Sequence, residues 1–203
     1  MSRSILHHLL QRSTQSARGR KLAIITIGLA VGTTTATAAI VATGLDAVLF
    51  PPTDVRLNQT ESDVEIRAIN ERQQCITLNK DLEVDEGVIH KGTKVKCHLI
   101  HADPDSMLLL DGRVRFDTQI LGVISTSTGL DATDAMCFRN GMVYPVAGDE
   151  PNRGLEPLIQ ADTYQIIAGG FGIEVTTEVP LNSFSDQVRV LNCCGDGCAV
   201  AQP

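Results

Sequence analysis

Tyr164-Gln165-Ile166-Ile167-Ala168-Gly169-Gly170-Phe171-Gly172-Ile173-Glu174-Val175-Thr176-Thr177-Glu178-Val179 is the stretch whose reading decides the fold class. Its returning arm alternates, with Ile173, Val175, Thr177 and Val179 on one face and Glu174, Thr176 and Glu178 on the other. A period of two marks a strand with one face against a core. Gly169-Gly170, set between two apolar arms, supplies the positive φ angles of a tight two-residue turn, so the stretch reads as a β-hairpin.

The same period extends outward from it. Asp186 to Leu191 alternates through Val188 and Val190, and Arg113 to Asp117 through Val114 and Phe116, ahead of the apolar run Ile120 to Ile124. Thr93 to His101 sets Val95, Cys97 and Leu99 against Lys94, Lys96 and His98. Val64 to Ile69 reads as an early strand, with Val64, Ile66 and Ala68 on one face. Only Leu130 to Cys137 has the look of a short helix, capped by Asp131. Short strands separated by turns, with little helical periodicity, predict an all-β fold: an antiparallel β-sandwich, jelly-roll-like.

An N-terminal hydrophobic signal or anchor helix is expected ahead of it. Arg3, Arg12, Arg18, Arg20 and Lys21 precede the uncharged segment Leu22 to Leu45, and no acidic residue occurs before Asp46. Leu22 to Val31 followed by Ala36-Thr37-Ala38 suits a signal peptidase. Retained whole, residues 22–43 are long enough to cross a bilayer as a helix, with the N-terminus on the cytoplasmic side. Either way the remainder is exported, to the cell surface or beyond it. The expected organisation is 1–45 signal peptide or membrane anchor, 46–74 linker and first strand, 75–192 β-sandwich domain, and 193–203 cysteine-rich tail.

Of 17 basic residues, five lie in the leader, so residues 22–203 carry 17 − 5 = 12 against all 24 acidic ones, a balance of −12. Nucleic acid is thereby an unsuitable partner, because phosphate binding rests on Lys and Arg. With no Trp, five Phe and two Tyr, the chain also has few rings on which to stack sugars. All six cysteines, Cys75, Cys97, Cys137, Cys193, Cys194 and Cys198, follow the apolar segment. An even number in an exported domain predicts disulfides, with the pairing open. Cys75 and Cys97 could close the region between them, and the tail could fold back on Cys137 or on those two.

Several clusters bear on chemistry. His90, His98 and His101 suit zinc by residue type, yet His98 and His101, three apart on a strand, point to opposite faces. Asp103, Asp105, Asp131 and Asp134, with Asp149-Glu150, are the calcium candidates, since calcium takes loop carboxylates. Cys193-Cys194 with Cys198 reads as structural disulfides more readily than as a redox centre, because no neighbouring cation lowers a thiol pKa. Arg153 is a candidate to grip a ligand or to shape its loop. Nucleophile elbow, phosphate loop and zinc-protease motifs are absent from the sequence, so no catalytic residue and no cofactor is assigned, calcium apart.

A series of segments over roughly residues 82–191 follows one order. It comprises Gly92-Thr93-Lys94-Val95-Lys96-Cys97-His98-Leu99-Ile100, Phe116-Asp117-Thr118-Gln119-Ile120-Leu121-Gly122-Val123-Ile124, Leu130-Asp131-Ala132-Thr133-Asp134-Ala135, Tyr144-Pro145, Arg153-Gly154-Leu155-Glu156 and Ser185-Asp186-Gln187-Val188-Arg189-Val190. The series resembles an exported bacterial domain of unknown function found in surface proteins of the PEP-CTERM sorting class. That resemblance implies a β-sandwich on the cell surface or in an extracellular matrix. It brings no catalytic residues, and the family's C-terminal sorting tail is replaced here by the cysteine cluster. The expected function is therefore a non-enzymatic exported protein, stabilised by disulfides, that acts through protein contacts or self-association. A calcium- or small-ligand-binding module and a thiol redox protein are the rival classes.

Overall fold

The computed structural model describes residues 39–105, 108–155, 162–179 and 185–195. The basic leader, the apolar segment up to residue 38, Glu156 and Cys198 lie outside the described residues. One sheet is antiparallel throughout, in the order β1 (Ile40–Leu45), β8 (Leu108–Phe116), β11 (Gly172–Val179), β10 (Thr163–Ile167). The second runs β2 (Ala47–Phe50), β3 (Ile66–Asn70), β7 (Lys94–Ala102), β12 (Asp186–Cys193), β9 (Ile120–Ile124), and β4 (Ile76–Thr77) also pairs with β7. A small hairpin, β5 (Leu82–Val84) with β6 (Gly87–Ile89), forms its own ladder and rests on β9, where Asp85 N donates to Val123 O at 2.8 Å. The fold is mostly β, with one α-helix, α1 (Ser127–Cys137), among the described residues. Among them no helix is long and apolar enough to cross a membrane.

Except on β7, the inward faces read from the sequence meet in one core. Ile40, Val114, Phe116, Ile173 and Val175 of the first sheet pack with Ile66, Ala68, Ile100, Val188 and Val190 of the second. The outward face of the first sheet carries charge, as where Arg113 meets Glu174 at 3.0 Å across β8 and β11. The second sheet is covered on its other face too. There Val95, Cys97, Leu99 and Leu191 pack with Leu130 and Cys137 of α1 and with Met142 of the chain that follows it. A strand between two covers buries both sets of side chains, and β7 is buried from Val95 to Ala102. Lys96 and His98, placed opposite the apolar set by the sequence, are therefore inside as well.

Several expectations are corrected. The second sheet is mixed, because β2 and β3 run parallel. The chain of residues 51–65 between them is long enough for the crossover that parallel pairing needs. β1 and β2 lie in residues assigned to the end of the anchor and to the linker, while β3 is the early strand expected ahead of residue 75. Val64 lies before β3 and is exposed. The hairpin of β10 and β11 forms, with Ile167 opposite Gly172, but Ala168–Phe171 make a longer connection than two residues. Ala168, Gly169 and Gly170 all take positive φ there. The helix begins at Ser127 under a cap from Thr126, whose side chain accepts from Gly129 N, and Asp131 is spent elsewhere.

The described disulfides are Cys75–Cys194 and Cys97–Cys137, Cys193 is disulfide-bonded too, and no described cysteine is free. Cys75 does not pair with Cys97, for a reason of register. β4 places Ile76 opposite Val95, and β12 places Cys193 opposite the same Val95, so Cys75 and Cys194 arrive at one end of β7. Cys97 lies within β7, where its sulfur faces the end of α1.

Candidate functional site

The densest set of ionisable side chains lies between α1 and the second sheet. β12 alternates so that Val188 and Val190 enter the core between the sheets, while Gln187 and Arg189 point towards α1. On α1, Asp131 and Asp134 are three residues apart and so share a face. Glu71 follows β3 directly, and Tyr144 and Arg153 come from the connection after α1. Arg153 is carried there by its neighbour. Leu155 N donates to Ser125 O at 2.8 Å, and a Cβ on Gly154 would collide with that same carbonyl oxygen. Only glycine lets the two segments approach so closely.

Every N–H of the Arg189 guanidinium is used. Nε donates to Glu71 Oε2 at 2.9 Å and Nη2 to Glu71 Oε1 at 2.7 Å, a two-point grip. Nη2 also donates to Asp134 Oδ1 at 2.8 Å, and Nη1 to Leu130 O at 2.9 Å and Thr133 Oγ1 at 2.7 Å. Tyr144 Oη donates to Glu71 Oε1 at 2.6 Å, and the Arg189 guanidinium lies 5.5 Å from the centre of the Tyr144 ring. Arg153 Nη1 reaches Asp131 Oδ1 at 2.8 Å and Asp134 Oδ2 at 2.7 Å, while Nη2 reaches Asp134 Oδ1 at 3.0 Å and Gln187 Oε1 at 3.1 Å. Two guanidinium groups thus meet three carboxylates, and both arginines are fully buried.

Burial alone would discharge such groups, yet the fixed partners decide otherwise. Desolvation is the largest single influence on Arg189 and works against its cation, but Glu71, Asp134 and Tyr144 together outweigh it and raise the pKa, so the guanidinium stays charged. Desolvation, with the Glu71 charge behind it, raises the Tyr144 hydroxyl well above its usual range and keeps it a donor. The Cys97–Cys137 disulfide closes one end of this layer. Cys97, Cys137 and Glu71 bring three ligand-type atoms within 4.8 Å of one another. They do not form a metal centre: the two sulfurs are bonded to each other, and metals bind thiolates. The carboxylate is taken by Arg189 and Tyr144.

No family model matches this chain, and comparison with curated proteins and with solved structures returned no match.

The calcium candidates fall into two places. Asp131 and Asp134 face Arg153 and Arg189, and Asp131 Oδ2 also accepts from Gly148 N at 3.0 Å. A calcium cage there would have to displace two buried cations, so these carboxylates are ion-pair partners. Asp103 belongs to another loop, where it accepts from Asn58 N at 3.3 Å and Thr60 N at 3.4 Å, and burial raises its pKa. Asp105 is exposed, and its backbone N–H donates to Asp63 Oδ1 at 2.9 Å.

The histidines do not converge either. His98 faces the core between the sheets, 5.0 Å from the Phe116 ring, with Nδ1 2.8 Å from Asn70 Oδ1. His101 lies on the opposite face with Nε2 3.0 Å from Thr60 Oγ1, and His90 is exposed beside Asp81. Of the three, only His90 is exposed. Burial lowers the pKa of His98 and of His101 to about 3, which makes both neutral at physiological pH.

Arg153 was a sequence candidate, and its loop-shaping alternative has the geometry behind it. Glu71, Tyr144, Gln187 and Arg189 were missed as a site. One signal was available. Gln187 and Arg189 alternate with Val188 and Val190 on a strand framed by apolar strands, so the polar pair needs a buried partner set. The resembling segments meet here too: Asp131, Thr133, Asp134, Tyr144, Arg153, Gln187 and Arg189 each come from one of them.

Proposed function

We propose that this chain is an exported, non-enzymatic β-sandwich protein that works at a bacterial cell surface or in an extracellular matrix through protein contacts. The observation that carries this reading is covalent. Cys75–Cys194 and Cys97–Cys137 tie segments 119 and 40 residues apart in sequence, and such crosslinks persist in oxidising spaces outside the cytosol. The buried charges fit the same role. Arg189, Arg153 and Glu71 are fully buried and, with the slightly exposed Asp134, are spent on one another under α1. The motif series that resembles the PEP-CTERM-associated domain supplies Arg189, Arg153 and Asp134 of this cluster, and Glu71 comes from outside it, which fits a structural post. A thiol redox role draws no support from a set of described cysteines that is wholly bonded.

The leader completes the reading. Removal after Ala38 leaves β1 whole, and Ala39 N donates to Asp117 Oδ1 at 2.6 Å at its start. The test is to express the full chain in a bacterial host, then combine intact-cell protease digestion, alkylation without reductant and N-terminal sequencing. The expected result is a protein outside the cytoplasm, with no alkylated cysteine and a mature end at Ala39. A cytosolic protein that alkylates freely would end the proposal.

A further inference from the structure

In a domain with an excess of carboxylates, one open cleft is lined by donors. It lies at the C-terminal end of α1, has a volume of about 490 Å3, and takes Arg72, Gln73, Gln74, Phe138, Arg139 and Asn140 into its wall with no acidic residue among them. Arg72 Nη1 donates to Met136 O at 3.1 Å, in the last turn of α1, and Arg139 Nη1 donates to Asn70 O at 2.9 Å. Each guanidinium is thus held by one nitrogen, and neither is paired with a described carboxylate. Holding the stems in place beforehand lowers the entropy lost when a ligand arrives. The contact of Arg72 with Met136 also offsets the negative end of the helix, which would otherwise repel an anion.

One further observation indicates the occupant. Phe138 leaves about half of its surface, 48%, exposed on the same wall. We propose that this cleft binds a small organic carboxylate that carries an apolar group. Arg72 and Arg139 take the carboxylate oxygens, and the apolar part lies on the Phe138 ring. A planar guanidinium fork matches a planar carboxylate, and inorganic sulfate or phosphate would leave the ring uncovered. This inference is independent of where the protein works, because it needs only the folded, oxidised domain.

Calorimetric titration of the full oxidised chain with benzoate, acetate, benzyl alcohol, sulfate and phosphate tests it. Benzoate should saturate, acetate should bind more weakly, and benzyl alcohol should not saturate. Arg139→Gln should weaken benzoate by at least about tenfold, the scale of one lost charge-assisted contact. Phe138→Ser should remove the preference for benzoate over acetate. Arg72→Gln should act like Arg139→Gln. Should loss of the Met136 contact unfold it, Arg139→Gln with an unchanged melting midpoint carries the test alone. No saturation by benzoate, equal affinity in Arg139→Gln, or tighter binding of sulfate or phosphate than of benzoate would each overturn the proposal.

Discussion

The two faces of β12 solve burial in opposite ways. On the inner face Val188 and Val190 enter a core of aliphatic side chains from both sheets, where contact is non-directional and any neighbour of suitable size will serve. On the outer face Arg189 is as deeply buried, yet its five N–H groups each need an oxygen at a set place. The inner face therefore tolerates changes of shape, and the outer face tolerates only changes made in matched sets. A buried ion pair adds little over an apolar filling of equal volume, but half of one is costly. The outer face thus fixes how α1 sits on the sheet more than it adds to stability.

The comparison breaks most visibly at Arg189. Arg189→Met leaves Glu71 and part of Asp134 uncompensated, and urea unfolding should show a loss of about 3–5 kcal/mol. Adding Glu71→Gln should recover part of that loss, and a single variant as stable as the parent would show that the charges do not depend on one another. Next in size is the covalent tie beneath the same layer. Replacing Cys97 and Cys137 together by Ala should cost about 2–4 kcal/mol, read as a lower denaturation midpoint under non-reducing conditions.

A third measurement concerns pH. His98 is buried with its pKa lowered to about 3, below the unfolded value of 6.5. Between those values the unfolded chain binds the proton and the folded one does not, so stability falls as pH drops through 6.5 towards 3. From pH 6.5 to 5 this one group should contribute a loss of about 2 kcal/mol. His98→Leu should flatten the profile by that amount, and parallel profiles would refute it. The smallest effect belongs to the inner face: Ile100→Val should cost about 0.5–1.5 kcal/mol with no change in the pH profile, checked by the same unfolding curves.

The strands were legible because their signal is local. Alternation through Ile173 and Val175, or through Val188 and Val190, needs only neighbours two residues away. The outer cover was not legible, since the alternation of Val95, Cys97 and Leu99 with Lys96 and His98 announces one buried face of β7 and not two. Asp131 looked like a helix cap for the same reason: capping is a short-range inference, and its partner Arg153 stands 22 residues on. The parallel pairing of β2 with β3 was hidden too, because a long polar segment reads alike as a linker and as a crossover.

Order along the chain, from charged leader to alternating strands to cysteines, determined by itself the all-β character, the two-faced strands and the need for crosslinks. Which sulfurs join, which side of β7 meets a helix, and that Glu71 must answer Arg189 across 118 residues were decided only in three dimensions. The physical reason is range: periodicity reports the environment of one residue, whereas a buried charge is set by whichever oxygen the folded sheet brings within about 3 Å of it.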